Sequence, residues 1–120
     1  MPDFTLDHRR GSASGDFGGS VPVQGFGTVT RDGVTHCWYF RARGGGWTFD
    51  IGPEHATIEE YVDEDDAVWS AGGDWGQWPD AGYMPGDAVS AILRDAMTRY
   101  LDGEPNWYAP TDLHMGVSNA

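Results

Sequence analysis

Three β-rich runs separated by two glycine turns occupy the middle of this chain, and they commit residues 21–51 to an antiparallel sheet. The first run is VPVQGFGTVT (21–30). Asp32-Gly33 follows and suits a two-residue hairpin, because glycine takes positive φ without a Cβ clash. The second run, VTHCWYFRAR (34–43), ends at Gly44, Gly45 and Gly46, and WTFDI (47–51) returns. Alternation puts Val34, His36, Trp38, Phe40 and Ala42 on one face of the middle strand. Trp47, Phe49 and Ile51 match them on the last strand, so this aromatic face is the predicted core side. The opposite face carries Thr35, Cys37, Tyr39, Arg41, Arg43, Thr48 and Asp50. It is predicted to be solvated, with Arg41 paired diagonally to Asp50 rather than holding an anion.

The flanks are less regular. Residues 3–8 alternate briefly and predict a short edge strand, whereas GSASGDFGGS (11–20) reads as a flexible loop. After Pro53, Thr57 and Glu60 fit a capping box, and Ile58, Tyr61, Val62, Val68 and Trp69 recur at helical spacing. An acidic helix from about residue 58 to 69 is predicted there. Residues 70–86 read as a long irregular loop rich in tryptophan. The strongest helix signal is 87–101: Pro85 precedes it, Asp87 can cap it, and Gly103 follows as its stop. Val89, Ile92, Leu93, Ala96 and Tyr100 form its apolar stripe, and Asp95 and Arg99 pair at i,i+4.

These readings define an α+β fold: an antiparallel β-meander of three to four strands, one long C-terminal helix packed on one face, and a shorter acidic helix. A chain of 120 residues suits a single domain. Its parts are a flexible N-terminal strand and Gly/Ser loop (1–20), the meander (21–52), the acidic helix and Trp-rich loop (53–86), the helix (87–102) and an extended tail (103–120) whose Trp107 and Tyr108 dock.

No catalytic constellation emerges. His36 and Cys37 are adjacent on a strand and so point to opposite faces, which separates a nucleophile from its base. The four histidines lack cysteine partners at zinc spacing, and Asp63-Glu64-Asp65-Asp66 lacks the alternation of a calcium loop. No metal or other cofactor is predicted. With one cysteine no intrachain disulfide can form, and no run approaches the length of a membrane span, so a cytoplasmic protein is expected.

Charge is the functional clue. Residues 1–53 hold five Arg and five Asp, whereas 54–120 hold fourteen acids and two Arg, so the whole net charge of −12 lies in the second half. Such a field favours a cationic partner and opposes direct contact with nucleic acid. The reading is a non-enzymatic acidic inhibitor or decoy, with carboxylates standing in for phosphates on a basic nuclease or nucleic-acid-binding complex. Anti-CRISPR and anti-restriction proteins encoded by phages work this way as a class. The residues assigned to the contact are Glu59, Glu60, Asp63, Glu64, Asp65, Asp66, Asp74 and Asp80, with Trp75 and Trp78 as anchors. The alternatives are a toxin-neutralising immunity protein, and a small ligand-binding domain or enzyme with its site at the Trp-rich loop.

Overall fold

A computed structural model of the protein describes residues 3–54, 66–76 and 80–109. They form one seven-stranded sheet whose strands lie side by side in chain order. These are β1 (Asp3–His8), β2 (Gly11–Gly18), β3 (Val23–Arg31), β4 (Val34–Arg43), β5 (Gly46–Glu54), β6 (Trp69–Asp74) and β7 (Trp107–Ala109). Every neighbouring pair is antiparallel except β6 and β7, which run parallel. The sheet curls into a half-barrel, and α1 (Gly86–Leu101) fills its concave side.

This corrects the expected architecture. The predicted three-to-four-strand meander is only β3–β5, and the protein is mostly sheet with a single α-helix among the described residues. The stretch predicted as a flexible Gly/Ser loop is β2, paired with β3 along its whole length and with β1 from Gly11 to Asp16. The predicted acidic helix lies mainly outside the described residues, but its last residue, Trp69, opens β6. Residues 70–74, taken for loop, complete that strand, and Ala81–Tyr83 form a 3-10 turn.

The physical reason for β2 is a tryptophan. Gly15, Gly27 and Trp38 occupy one cross-strand row on the concave face. A Cβ at Gly15 or Gly27 would lie 2.6 or 2.7 Å from Cζ2 of Trp38, and one at Gly25 would lie 3.2 Å from Cζ3. The indole therefore lies flat where three side chains are missing. Its Nε1–H sits between two acceptors, the carbonyls of Ser14 and Thr28, each at 3.2 Å. Phe4 meets the ring edge-on at 6.2 Å, and Phe49 tilts against it at 5.8 Å.

The expected face pairing holds near the glycine turn, where Trp38 opposes Ile51, Phe40 opposes Phe49 and Ala42 opposes Trp47, but a bulge between His36 and Trp38 ends it and Val34 is exposed. The expected stripe of α1 also holds: Val89, Ile92, Leu93, Ala96 and Tyr100 are all buried. The helix stops where Gly103 adopts φ +83°, with Gly103 N–H bonded to the Tyr100 carbonyl and Glu104 N–H to the Arg99 carbonyl. Trp69 fastens this end to the sheet by donating its Nε1–H to the Glu104 carbonyl at 2.8 Å.

Gly27→Ala should destabilise the protein by about 3 kcal/mol, the upper part of the usual overpacking cost, because both the Ser14 carbonyl and the Trp38 ring occupy the space a methyl needs. Gly33→Ala places its methyl in open space and strains only the turn, so denaturant melts should show a cost of about 1 kcal/mol.

Candidate functional site

The convex face of the sheet carries a cleft of about 990 Å³ over β4–β7. Its geometry follows from strand register. Arg41 of β4 opposes Thr48 of β5, Thr48 opposes Gly72 of β6, and Gly72 opposes Tyr108 of β7. One row thus runs Arg41–Thr48–Gly72–Tyr108. The next row towards the β4–β5 turn is Arg43–Gly46–Asp74. The preceding one is Tyr39–Asp50–Ser70. Small residues floor the middle two strands, so the flanking arginines and Tyr108 stand as walls. With neighbouring strands about 4.8 Å apart, the outer Cα positions of the central row are roughly 14 Å apart.

Each wall is built locally. The Tyr108 ring lies over Gly72, where a Cβ would stand 3.7 Å from two ring carbons. Its hydroxyl donates to Asp74 Oδ1 at 2.6 Å, which pins the ring along β6. The side chain is still 66% exposed, so its other face is open. Asn106 accepts the Ser70 backbone N–H through Oδ1 at 3.0 Å, which leaves its amide N–H groups to donate elsewhere. On the far wall, the Arg41 Nε is shut off from solvent and has no acceptor. Among the described residues, neither the Arg41 nor the Arg43 side chain has a hydrogen-bond or ion-pair partner.

The expected Arg41–Asp50 pair does not form among the described residues. Asp50 is only 6% exposed and accepts the Ser70 hydroxyl at 2.6 Å. Nor is the centre of this face solvated: Cys37 and Tyr39 are buried, with Phe26 packed against them. His36 and Cys37 do lie on opposite faces, and His36 Nδ1–H donates to the Gly52 carbonyl.

Of the residues assigned to partner binding, Asp66, Asp74, Trp75 and Asp80 are described, and these four do not come together as one site. Asp66, Asp74 and Asp80 are exposed. Asp66 precedes β6 and Asp74 ends it, so they sit at opposite ends of the sheet, about 17 Å or more apart. Asp80 accepts the Gly82 N–H at 2.8 Å and caps the 3-10 turn. Trp75 is not an anchor: it is buried in the main core, because β6 sends positions 69, 71, 73 and 75 to the concave face. Trp69 is buried with it, while Tyr83 is exposed. Glu59, Glu60, Asp63, Glu64, Asp65 and Trp78 lie outside the described residues. Sequence reasoning missed Ser70, Asn106 and Tyr108, and no short-range signal joins them, since only the parallel β6–β7 pairing brings them to Arg41.

Among the described residues, no three His, Cys, Asp or Glu side chains gather as a metal-ligand set, and no helix is long and apolar enough to cross a membrane. No protein-family model, curated protein or solved structure matches the chain.

The hydrogen bond to Asp74 holds the Tyr108 phenol above its ordinary pKa, with a smaller contribution from desolvation. The unfolded chain therefore ionises this phenol first. The stability it contributes is complete below the ordinary tyrosine value and is lost as pH rises through the raised folded value. Asp74→Asn should bring the Tyr108 titration, followed through its ring NMR signals, down towards that of a free tyrosine.

Proposed function

We propose that the protein is a non-enzymatic inhibitor that binds a basic protein, a nuclease or nucleic-acid-binding complex, through its carboxylate surface in the cytoplasm. The observation that carries this reading is how the cations are used. Arg10 pairs with Asp32 at 2.6 Å, and Arg99 with Asp95 and Glu104. Arg31 lies over the Tyr100 ring and donates to the Tyr100 carbonyl, while Arg94 lies over Phe4 and donates to the Thr5 carbonyl. Four of the seven arginines are thus spent on the protein's own groups.

The acids are spent differently. Asp3, Asp7, Asp16, Asp66, Asp80 and Asp87 are exposed and have no arginine partner among the described residues. Asp3 and Asp16 even face each other across β1 and β2, an unfavourable like-charge pair in an isolated sheet. A cationic partner surface relieves that repulsion. With Trp75 buried, the exposed Tyr83 and Tyr108 supply aromatic contacts among the described residues. Carboxylates on such a surface make charge-assisted hydrogen bonds with Lys and Arg and accelerate encounter.

Purified basic nucleases and RNA-guided effector complexes provide the test. One of them should be held at low salt, lose about tenfold or more in affinity at high salt, and release the protein when nucleic acid is added. Reversing Glu59, Glu60, Asp63, Glu64, Asp65 and Asp66 to Lys should abolish capture while the melting curve stays cooperative. Capture that ignores both salt and nucleic acid would reject the decoy mechanism, and capture that survives the charge reversal would reject the assignment of the contact to these carboxylates.

A further inference from the structure

We infer that the convex cleft is a binding site for a small organic anion with a flat ring at one end and a carboxylate or phosphate at the other. This inference stands on the cleft alone and does not rest on the inhibitor reading. Three observations converge. First, among the described residues the arginines not spent internally are Arg9, Arg41 and Arg43, and two of these three share one wall of the cleft, two residues apart on the same face of β4. An unpaired guanidinium pair on a protein of net charge −12 is unexpected from composition, since exposed carboxylates greatly outnumber it. Second, the Arg41 Nε donor is removed from water with no acceptor, a costly arrangement that a small turn of the guanidinium towards an oxyanion would relieve. Third, the opposite wall is a tyrosine ring that stands against Gly72 and is held by Asp74, with most of the side chain exposed. Such a ring is a stacking platform.

The donors and spacing select the ligand. Arg41, Arg43 and the Asn106 amide all donate, so they call for an acceptor-rich group. Asp74 already receives the Tyr108 hydroxyl, and it disfavours a second negative group at the tyrosine end. The two walls are roughly 14 Å apart at Cα, and side chains close part of that gap, which suits a ring and an oxyanion joined by a short linker. At about 990 Å³ the cleft reaches the top of the range of about 300–1,000 Å³ common for small-molecule sites. The surrounding acids oppose a polyanion, so the ligand is a small molecule and not a nucleic-acid strand.

Adenosine monophosphate is a suitable probe, with adenosine and inorganic phosphate as its two halves and a single-stranded oligonucleotide as the polymeric source of the same chemistry. Binding is followed on the full chain by amide NMR shifts and calorimetry. The expected result is shifts at Thr48, Ser70, Gly72 and Tyr108. Either half and the oligonucleotide should bind about tenfold or more weakly. Arg41→Gln with Arg43→Gln should weaken the nucleotide by about tenfold and leave adenosine unchanged, whereas Tyr108→Ala should weaken both and Tyr108→Phe should keep the stacking. A nucleotide that shifts none of these amides at millimolar concentration overturns the site. Phosphate binding as tightly as the nucleotide overturns the stacking wall, and an oligonucleotide that binds more tightly overturns the small-molecule assignment.

Discussion

The Trp38 indole spread across Gly15, Gly25 and Gly27 is the contact around which the sheet is organised. Three glycines in neighbouring strands are expensive, at about 0.5–1 kcal/mol each relative to alanine. Burying an aromatic ring of about 200 Å² at about 25 cal/mol per Å² returns about 5 kcal/mol, so the exchange is favourable. The missing side chains also let the strands close over the ring, which bends the sheet towards α1. The two carbonyls that receive the indole N–H belong to β2 and β3, so the ring stitches the N-terminal hairpin to the meander. Without that stitch, a strand of sequence GSASGDFG has little of its own to hold it in a sheet.

A second aromatic system closes the other side. Trp69 meets Phe49 and Tyr100 edge-on, and its N–H takes the carbonyl just past the end of α1. The same helix end sends the chain back along β6 as β7. Trp107 then packs on Trp47 at 6.1 Å and under the Arg99 guanidinium at 4.2 Å. The C-cap turn at Gly103 is thus what aims Tyr108 at the cleft. A one-residue slip there would exchange Trp107 and Tyr108 between faces and dismantle both the core contact and the cleft wall.

The parts of the fold legible in the sequence were those with strong local period or turn chemistry. Asp32-Gly33, the alternation of residues 34–43 and the stripe of residues 89–100 each state their structure within about a dozen residues. What stayed hidden depends on glycine. In β2 and β6 the concave positions alternate with small or polar residues, and Gly15 and Gly73 stand where an apolar side chain would have revealed period two. Trp69 then reads as the end of a helix and Trp75 as an exposed anchor, although both are buried in the core beside β6. The cleft is half legible: the sequence shows Arg41 and Arg43 on one face as a candidate anion-binding pair, but an ion pair with Asp50 is the cheaper reading of it. Burial decides against that pair. Ser70 gives Asp50 a short hydrogen bond inside the protein, which leaves the arginines to the cleft.

An anionic exterior and a cationic cleft can coexist on one small molecule because salt separates them. At physiological ionic strength the screening length is about 8 Å, comparable to two strand spacings. An exposed carboxylate beyond that distance contributes little to the potential at Arg41, whereas a large cationic partner sums over many such carboxylates at once. The long-range field therefore chooses the sign of a macromolecular partner, and the two guanidinium groups act only on what has already entered the cleft. Among the described residues Asp74 is the acid that lines the cleft, and the Tyr108 hydroxyl bonded to it spreads its charge and holds it at the tyrosine wall. That separation of charges along a single row of the sheet gives the cleft a direction. An oriented ligand with its anionic end at β4 and its ring at β7 is the arrangement that satisfies both walls.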